Sequence, residues 1–212
     1  MKIEQLRKLL EEQELDALLI TSPYNRRYMT NFTGSAGSVI ISRNDAVFIT
    51  DFRYMDQANT QLTGYRIVQH TGTMIQEVAH QVKEMKISKL GFEKEHLSYS
   101  QFQMYDEHVD AQLVPVAGLV EKLRLIKTPE EIEILKQAAA IADAAFVYIC
   151  SVIRAGKTEL EIANELEFFM RQQGATSSSF DIIVASGERG ALPHGVASDK
   201  VIENGDFVTM DY

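Results

Sequence analysis

The chain has 212 residues, of which 45% are hydrophobic and 24% charged, enough apolar material for one large core or two smaller ones. Its 21 basic and 30 acidic side chains leave a net charge of −9, and its Lys and Arg form isolated pairs such as Arg26-Arg27 rather than a basic stripe, which argues against nucleic acid as a partner. One cysteine, Cys150, leaves no internal disulfide framework and no cysteine-based zinc site; without a bilayer-length apolar run or a secretory core in the charged start MKIEQLRKLLEEQEL, no membrane partner and a cytoplasmic location are expected.

Ile3, Leu6, Leu9 and Leu10 recur at helical spacing and lead into the apolar run Ala17 to Ile20, a helix followed by a strand. Pro23, Asn25 and Asn31 read as punctuation of a loop. Ser38 to Ile41 and Ala46 to Ile49 are strands joined by the turn Asn44-Asp45. Thr73-Met-Ile-Gln76 and Ser98-Tyr-Ser-Gln101 have the form of capping boxes, in which the first side chain bonds the backbone three residues on and the last reaches back. Lys89 to Phe92 and Gln112 to Val116 read as two further short strands. This mixture predicts an α/β domain over residues 1–122 with a core of its own.

The texture changes near Leu119, and residues 119–130 are the expected junction, with a second domain over 123–212. At Thr128-Pro-Glu-Glu131 a threonine caps, proline takes the first helical position and two carboxylates face the positive end of the helix dipole. The helix that follows is predicted to run to about Ile153, and its continuous apolar character predicts burial on more than one side. Thr158-Glu-Leu-Glu161 opens another helix, which Gly174 ends. Phe180 to Ala185 and Phe207 to Tyr212 alternate as strands do. An end inside a strand pattern predicts that these residues are a piece of a longer protein.

A few residues could carry chemistry. In Leu192-Pro-His-Gly195 proline fixes one backbone angle and glycine permits a sharp turn, so the His194 imidazole is either a positioned acid, base or ligand or an ordinary surface histidine. Asp211 sits in an otherwise apolar strand pattern, where a carboxylate is a metal ligand, a salt-bridge partner or simply exposed. Glu203 and Asp206 flank Asn204-Gly205 and read as a turn. Asp51 and Arg53 read as a structural pair. Gly34-Ser-Ala-Gly37 is too short for a phosphate loop. Neither Cys150 nor Ser177 to Ser179 has a nucleophile motif around it.

Taken in order, Ile183-Val-Ala-Ser-Gly187, Ala191-Leu-Pro-His-Gly195 and Gly205-Asp-Phe-Val-Thr-Met-Asp211 resemble the first half of the catalytic domain of Xaa-Pro aminopeptidases and prolidases. Lys127-Thr-Pro-Glu-Glu-Ile132 and Ile141-Ala-Asp-Ala-Ala-Phe146 resemble the start of that domain. Tyr28-Met-Thr-Asn-Phe-Thr-Gly34 and Thr50-Asp-Phe-Arg-Tyr54 resemble the family's N-terminal domain. The resemblance implies an α/β N-terminal domain of the creatinase/prolidase type followed by an incomplete α+β pita-bread catalytic domain. It implies a homodimer acting on Xaa-Pro peptides with two divalent metal ions (Mn, Co or Zn). Asp211 matches the first metal ligand, and His194 matches a histidine beside the metals that bonds substrate or the tetrahedral intermediate. The other ligands would lie beyond Tyr212, so the 212 residues alone are expected to be inactive. A creatinase-like metal-free hydrolase and a non-catalytic binding module are the alternatives; Asp211 speaks against the first, and Asp211 with His194 against the second.

Overall fold

Residues 2–212 are described by a computed structural model, and they divide after Ile126 into two units. The first contains α1 (Lys2–Glu12), β1 (Ala17–Ile20), α2 (Pro23–Thr30), β2 (Ser38–Ser42), β3 (Ala46–Thr50), α3 (Met55–Gln61), β4 (Arg66–Gln69), α4 (Met74–Glu84), β5 (Lys89–Glu93), α5 (Tyr99–His108), β6 (Gln112–Val116) and α6 (Leu119–Leu125). The strands form one six-stranded sheet in the order β4-β3-β2-β1-β5-β6. β1, β2 and β3 pair antiparallel in sequence, whereas β3–β4, β1–β5 and β5–β6 are parallel.

Successive strand residues point to opposite faces, and here both faces are apolar. Leu18, Ile20, Val39, Ile41 and Phe48 join a core with Leu6 and Leu10 of α1, Met29 of α2 and Leu119 and Val120 of α6. Ala17, Leu19, Ile40, Val47 and Ile49 face the other way, onto Val78 and Val82 of α4 and Tyr105 of α5. The result is a helix–sheet–helix sandwich. At Gly91, where β5 pairs with Leu18, a Cβ would lie 2.9 Å from Leu15 Cδ1 and 3.2 Å from Leu18 Cδ1, so a side chain there would displace core leucines.

One expectation changes in this unit. The stretch punctuated by Pro23 and Asn31 is a helix, because Ser22 caps it, Pro23 stands at its start and Asn31 closes it in the left-handed conformation at φ 59°. The 3-10 turn Phe52–Tyr54, α3 and the edge strand β4 carry no strong sequence signal. The stretch expected as a junction, residues 119–130, contains α6, whose Leu119 and Val120 are buried in the first core, and the division after Ile126 falls within that stretch. Asp51 and Arg53 form a bidentate ion pair, with Nε to Oδ1 and Nη2 to Oδ2 both 2.9 Å. Arg53 holds the Asp51 carboxyl at about 2.

The second unit contains α7 (Pro129–Val152), α8 (Glu159–Gln172), β7 (Ile183–Ser186) and β8 (Val208–Asp211), with a 3-10 turn over Gly187–Ala191. β7 and β8 pair antiparallel. Ile162, Leu166 and Met170 of α8, Ala145 and Ile149 of α7, Val184 of β7 and Ile202 form its core. The boxes at Thr73, Ser98, Thr128 and Thr158 all close in both directions.

α7 departs from the expectation of burial on more than one side. Only Ala145 and Ile149 are buried, while Ile134, Leu135, Phe146 and Val147 are exposed, since the described residues cover one of its faces and not the other. By length and composition alone, with a mean hydropathy of 1.4, this helix could also cross a bilayer, which corrects the expectation that no segment is long and apolar enough. Its Ala145 and Ile149 nevertheless sit in the core with α8, so one side of the helix packs within this unit.

Phe32 is the ring on which the first core turns: it lies edge-on to Phe48 at 4.6 Å and to Tyr54 at 5.9 Å and is 1% exposed. Phe32→Ala is expected to lower unfolding stability by about 3–5 kcal/mol, read as a shift in the urea midpoint at unchanged slope.

Candidate functional site

His194 stands exposed at the tip of a tight loop. The loop closes on itself through Gly195 N to Leu192 O at 3.2 Å and Val196 N to His194 O at 2.9 Å. It lies against β7: Val196 bridges Ile183, and a Cβ on Gly195 would sit 2.8 Å from the Ala185 Cβ. Glycine is required here for close approach rather than for an unusual backbone angle.

Asp211 ends β8, directly opposite Ile183 of β7. Ile183 therefore has Val196 on one side and Asp211 on the other, about 10 Å apart across two strand spacings. Directly paired residues share a face of a sheet. Asp211 and Thr209 thus face the side on which the His194 loop rests over Ala185, while Val184, Met210 and Val208 face the core. The two predicted residues flank β7, Asp211 paired with Ile183 on one edge and the His194 loop lying over Ala185 from the other. The Asp211 carboxylate is exposed, and no side-chain hydrogen bond or ion pair engages it or the His194 imidazole among the described residues.

The sequence reading overlooked the group that organises this region. Glu159, first residue of α8, is fully buried. Its Oε1 accepts from Ser186 N at 2.7 Å and Ser186 Oγ at 3.0 Å. Its Oε2 accepts from Arg189 Nε at 3.0 Å, Ser198 N at 3.2 Å and Ser198 Oγ at 2.6 Å. Arg189 also donates from Nη2 to Val196 O at 2.8 Å. Lys200 Nζ extends the network, donating to Ser186 Oγ at 2.9 Å and to Asp206 Oδ2 at 2.8 Å. Asp206, read from sequence only as a turn residue, takes this ion pair as well as the Glu203 amide at 3.0 Å, and Lys200 lowers its pKa. In the sequence Glu159 is one more acid in the first turn of a helix, where the dipole welcomes any carboxylate; nothing local marks it as buried.

A pair of divalent cations does not fit the donors present. Asp211 is a single exposed carboxylate, and among the described residues no three His, Cys, Asp or Glu side chains converge to hold a metal. Two hard cations need several oxygen ligands each.

Burial raises the Glu159 pKa, but the hydrogen bonds from Ser198, Ser186 and Arg189 outweigh it, and the net shift is downward. A carboxyl held lower in the folded than in the unfolded chain binds fewer protons when folded. Its contribution to stability is complete above the ordinary glutamate value, about 4.3, and is lost as pH falls below it toward the depressed value. Acid unfolding followed by circular dichroism is expected to show a steeper loss of stability below about pH 4.3 in the natural protein than in Glu159→Gln; equal slopes would count against a depressed Glu159.

Residues 2–126 match the family described as Creatinase/Prolidase N-terminal domain, and residues 133–212 match Metallopeptidase family M24. A Bacillus subtilis protein named only as an uncharacterized peptidase is 55% identical over 100% of this chain and 60% of its own length. The structure of an Xaa-Pro dipeptidase from Bacillus anthracis superposes with a TM-score of 0.96 at 64% identity, covering 99% of this chain and 59% of that one. An X-Pro aminopeptidase from Thermotoga maritima gives 0.89 at 37% identity, covering 98% and 60%. The chain thus spans about 60% of the length of these relatives.

Proposed function

Because the chain belongs to the creatinase/prolidase family of M24 metallopeptidases, we propose that the complete protein hydrolyses the peptide bond before proline, as an Xaa-Pro dipeptidase or an Xaa-Pro aminopeptidase. The observation that carries this reading is the likeness, along 99% of the chain, to the Bacillus anthracis Xaa-Pro dipeptidase. The Thermotoga maritima structure, named for the aminopeptidase reaction, is similar along 98%, so both substrate forms stay within the proposal.

In this reading Asp211 is one ligand of a set whose other members lie outside these 212 residues, with Mn, Co or Zn as the ions. It is exposed and, among the described residues, engaged by no ion pair, which suits that use. The part that the chain's own residues play is positional. His194 presents its imidazole from a loop pinned on β7, where it can donate a hydrogen bond to the substrate carbonyl or to the oxyanion that forms from it. Homodimer formation and a cytoplasmic location belong to the same proposal; the lone cysteine, Cys150, is free and exposed, which suits a reducing compartment.

The test uses the complete protein with an Xaa-Pro dipeptide and an Xaa-Pro tripeptide, each with added Mn, Co or Zn. Metal-dependent release of the first residue is expected, and the preferred peptide decides between dipeptidase and aminopeptidase. His194→Ala is expected to lower kcat about 10²–10³-fold, and Asp211→Asn to remove metal-dependent turnover. Residues 1–212 alone are expected to release nothing. Full activity in either variant would overturn the role given to that residue, and no cleavage by the complete protein would overturn the proposal.

A further inference from the structure

The loop that carries His194 is held to β7 by the Val196–Ile183 bridge and to α8 by Leu160 N bonding Ser198 O at 3.0 Å, and its side-chain contacts converge on one residue. On the upstream side, Leu192 N bonds Arg189 O at 2.9 Å. On the downstream side, the Arg189 guanidinium bonds Val196 O at 2.8 Å. Arg189 therefore meets the loop at both ends, upstream through its backbone carbonyl and downstream through its guanidinium, whose Nε is aimed by Glu159 Oε2 at 3.0 Å. Two residues past Val196, Ser198 lands on the same oxygen through both its amide and its hydroxyl. The other oxygen, Oε1, takes the amide and hydroxyl of Ser186 at the end of β7, the strand on which Gly195 and Val196 rest. One carboxylate thus ties the loop and the strand beneath it to the start of α8.

We infer that Glu159 is a positioning residue for the reaction proposed above, fixing the His194 loop on β7; this rests on the reading of His194 as the group that meets substrate. An acid is needed for the task. Every group that reaches Glu159 here acts as a donor, and an ionised carboxylate offers two oxygens that only accept. A glutamine turned either way would point its NH2 at the Ser186 amide or at the Ser198 amide and Arg189, none of which can accept, leaving it only a serine hydroxyl as acceptor. A helix-start acid that merely compensates the dipole would sit in solvent, whereas Glu159 is 0% exposed and spends both oxygens on segments distant in sequence. Small misplacements of a group that meets substrate weigh heavily on rate.

The experiment is a double-mutant cycle in the complete protein, with Glu159→Gln, His194→Ala and the pair together, assayed on an Xaa-Pro dipeptide. Glu159→Gln is expected to lower kcat about 10–100-fold with KM nearly unchanged, and to cause almost no further loss once His194 is alanine. Losses that multiply, or a Glu159→Gln protein of undiminished kcat, overturn the inference. Amide hydrogen exchange on the same proteins is the second readout and does not depend on activity. Faster exchange in peptides covering residues 189–200, with α7 unchanged, is expected; unchanged exchange over 189–200 overturns the inference. Should Glu159→Gln fail to fold, Ser198→Ala leaves the carboxylate its other donors, and a smaller rise in exchange over the same residues is expected, with no rise counting against the role. If the complete protein does not cleave Xaa-Pro peptides, the proposed function fails, and the exchange data alone decide whether Glu159 fixes the loop.

Discussion

The second unit is arranged around a charge that has been taken out of water. A buried carboxylate is tolerable only when donors replace its hydration, and Glu159 obtains them from the end of β7, the 3-10 turn and the segment after the His194 loop. Backbone bonds already join parts of these segments, Ser186 pairing with Val208 in the β7–β8 ladder and the Ser198 and Lys200 carbonyls accepting from Leu160 N and Glu159 N, both at 3.0 Å. The shared acceptor adds side-chain ties among them. The Lys200–Asp206 pair continues the arrangement toward β8 through Ser186, so the turn before β8 is tied to the same network that ties the loop.

The first unit rests on a different constraint, the two-residue period of its strands. A sheet apolar on both faces must be covered twice, and the helices divide accordingly between the core built on α1, α2 and α6 and the one built on α4 and α5. Polar groups in this unit serve the same end. Arg26 is buried, yet its guanidinium donates to the carbonyls of Gly34, Ser35 and Gly37, and Thr50 Oγ1 donates to that of Ala36 at 2.9 Å. The bend between α2 and β2 is thereby pinned from inside through successive carbonyls.

Elements and punctuation were legible wherever the signal is local. The box at Thr73 involves side chains and backbone three residues apart, and it closes as read. The strands of the first unit other than β4 follow from alternation or from short β-branched runs. The same kind of signal misleads where it has two meanings: proline and asparagine mark the ends of α2 as readily as they mark a loop. α7 shows the limit of composition, since an apolar sequence states that a face can be buried but not what is there to bury it.

From the sequence alone came the kinds of elements, their caps, the division into two parts and the ordered motifs that placed His194 and Asp211 among the residues worth attention. These follow from interactions spanning a few residues, or from patterns that a strand or helix must carry to bury one side. Tertiary structure decided that Ile183 lies between the His194 loop and Asp211, and that Glu159 is buried rather than solvated. The donors to Glu159 come from 27 to 39 residues away, and no local pattern encodes a meeting over that distance. It exists only once α8, β7 and the intervening loop have packed, because packing is what removes the water that would otherwise have served the carboxylate.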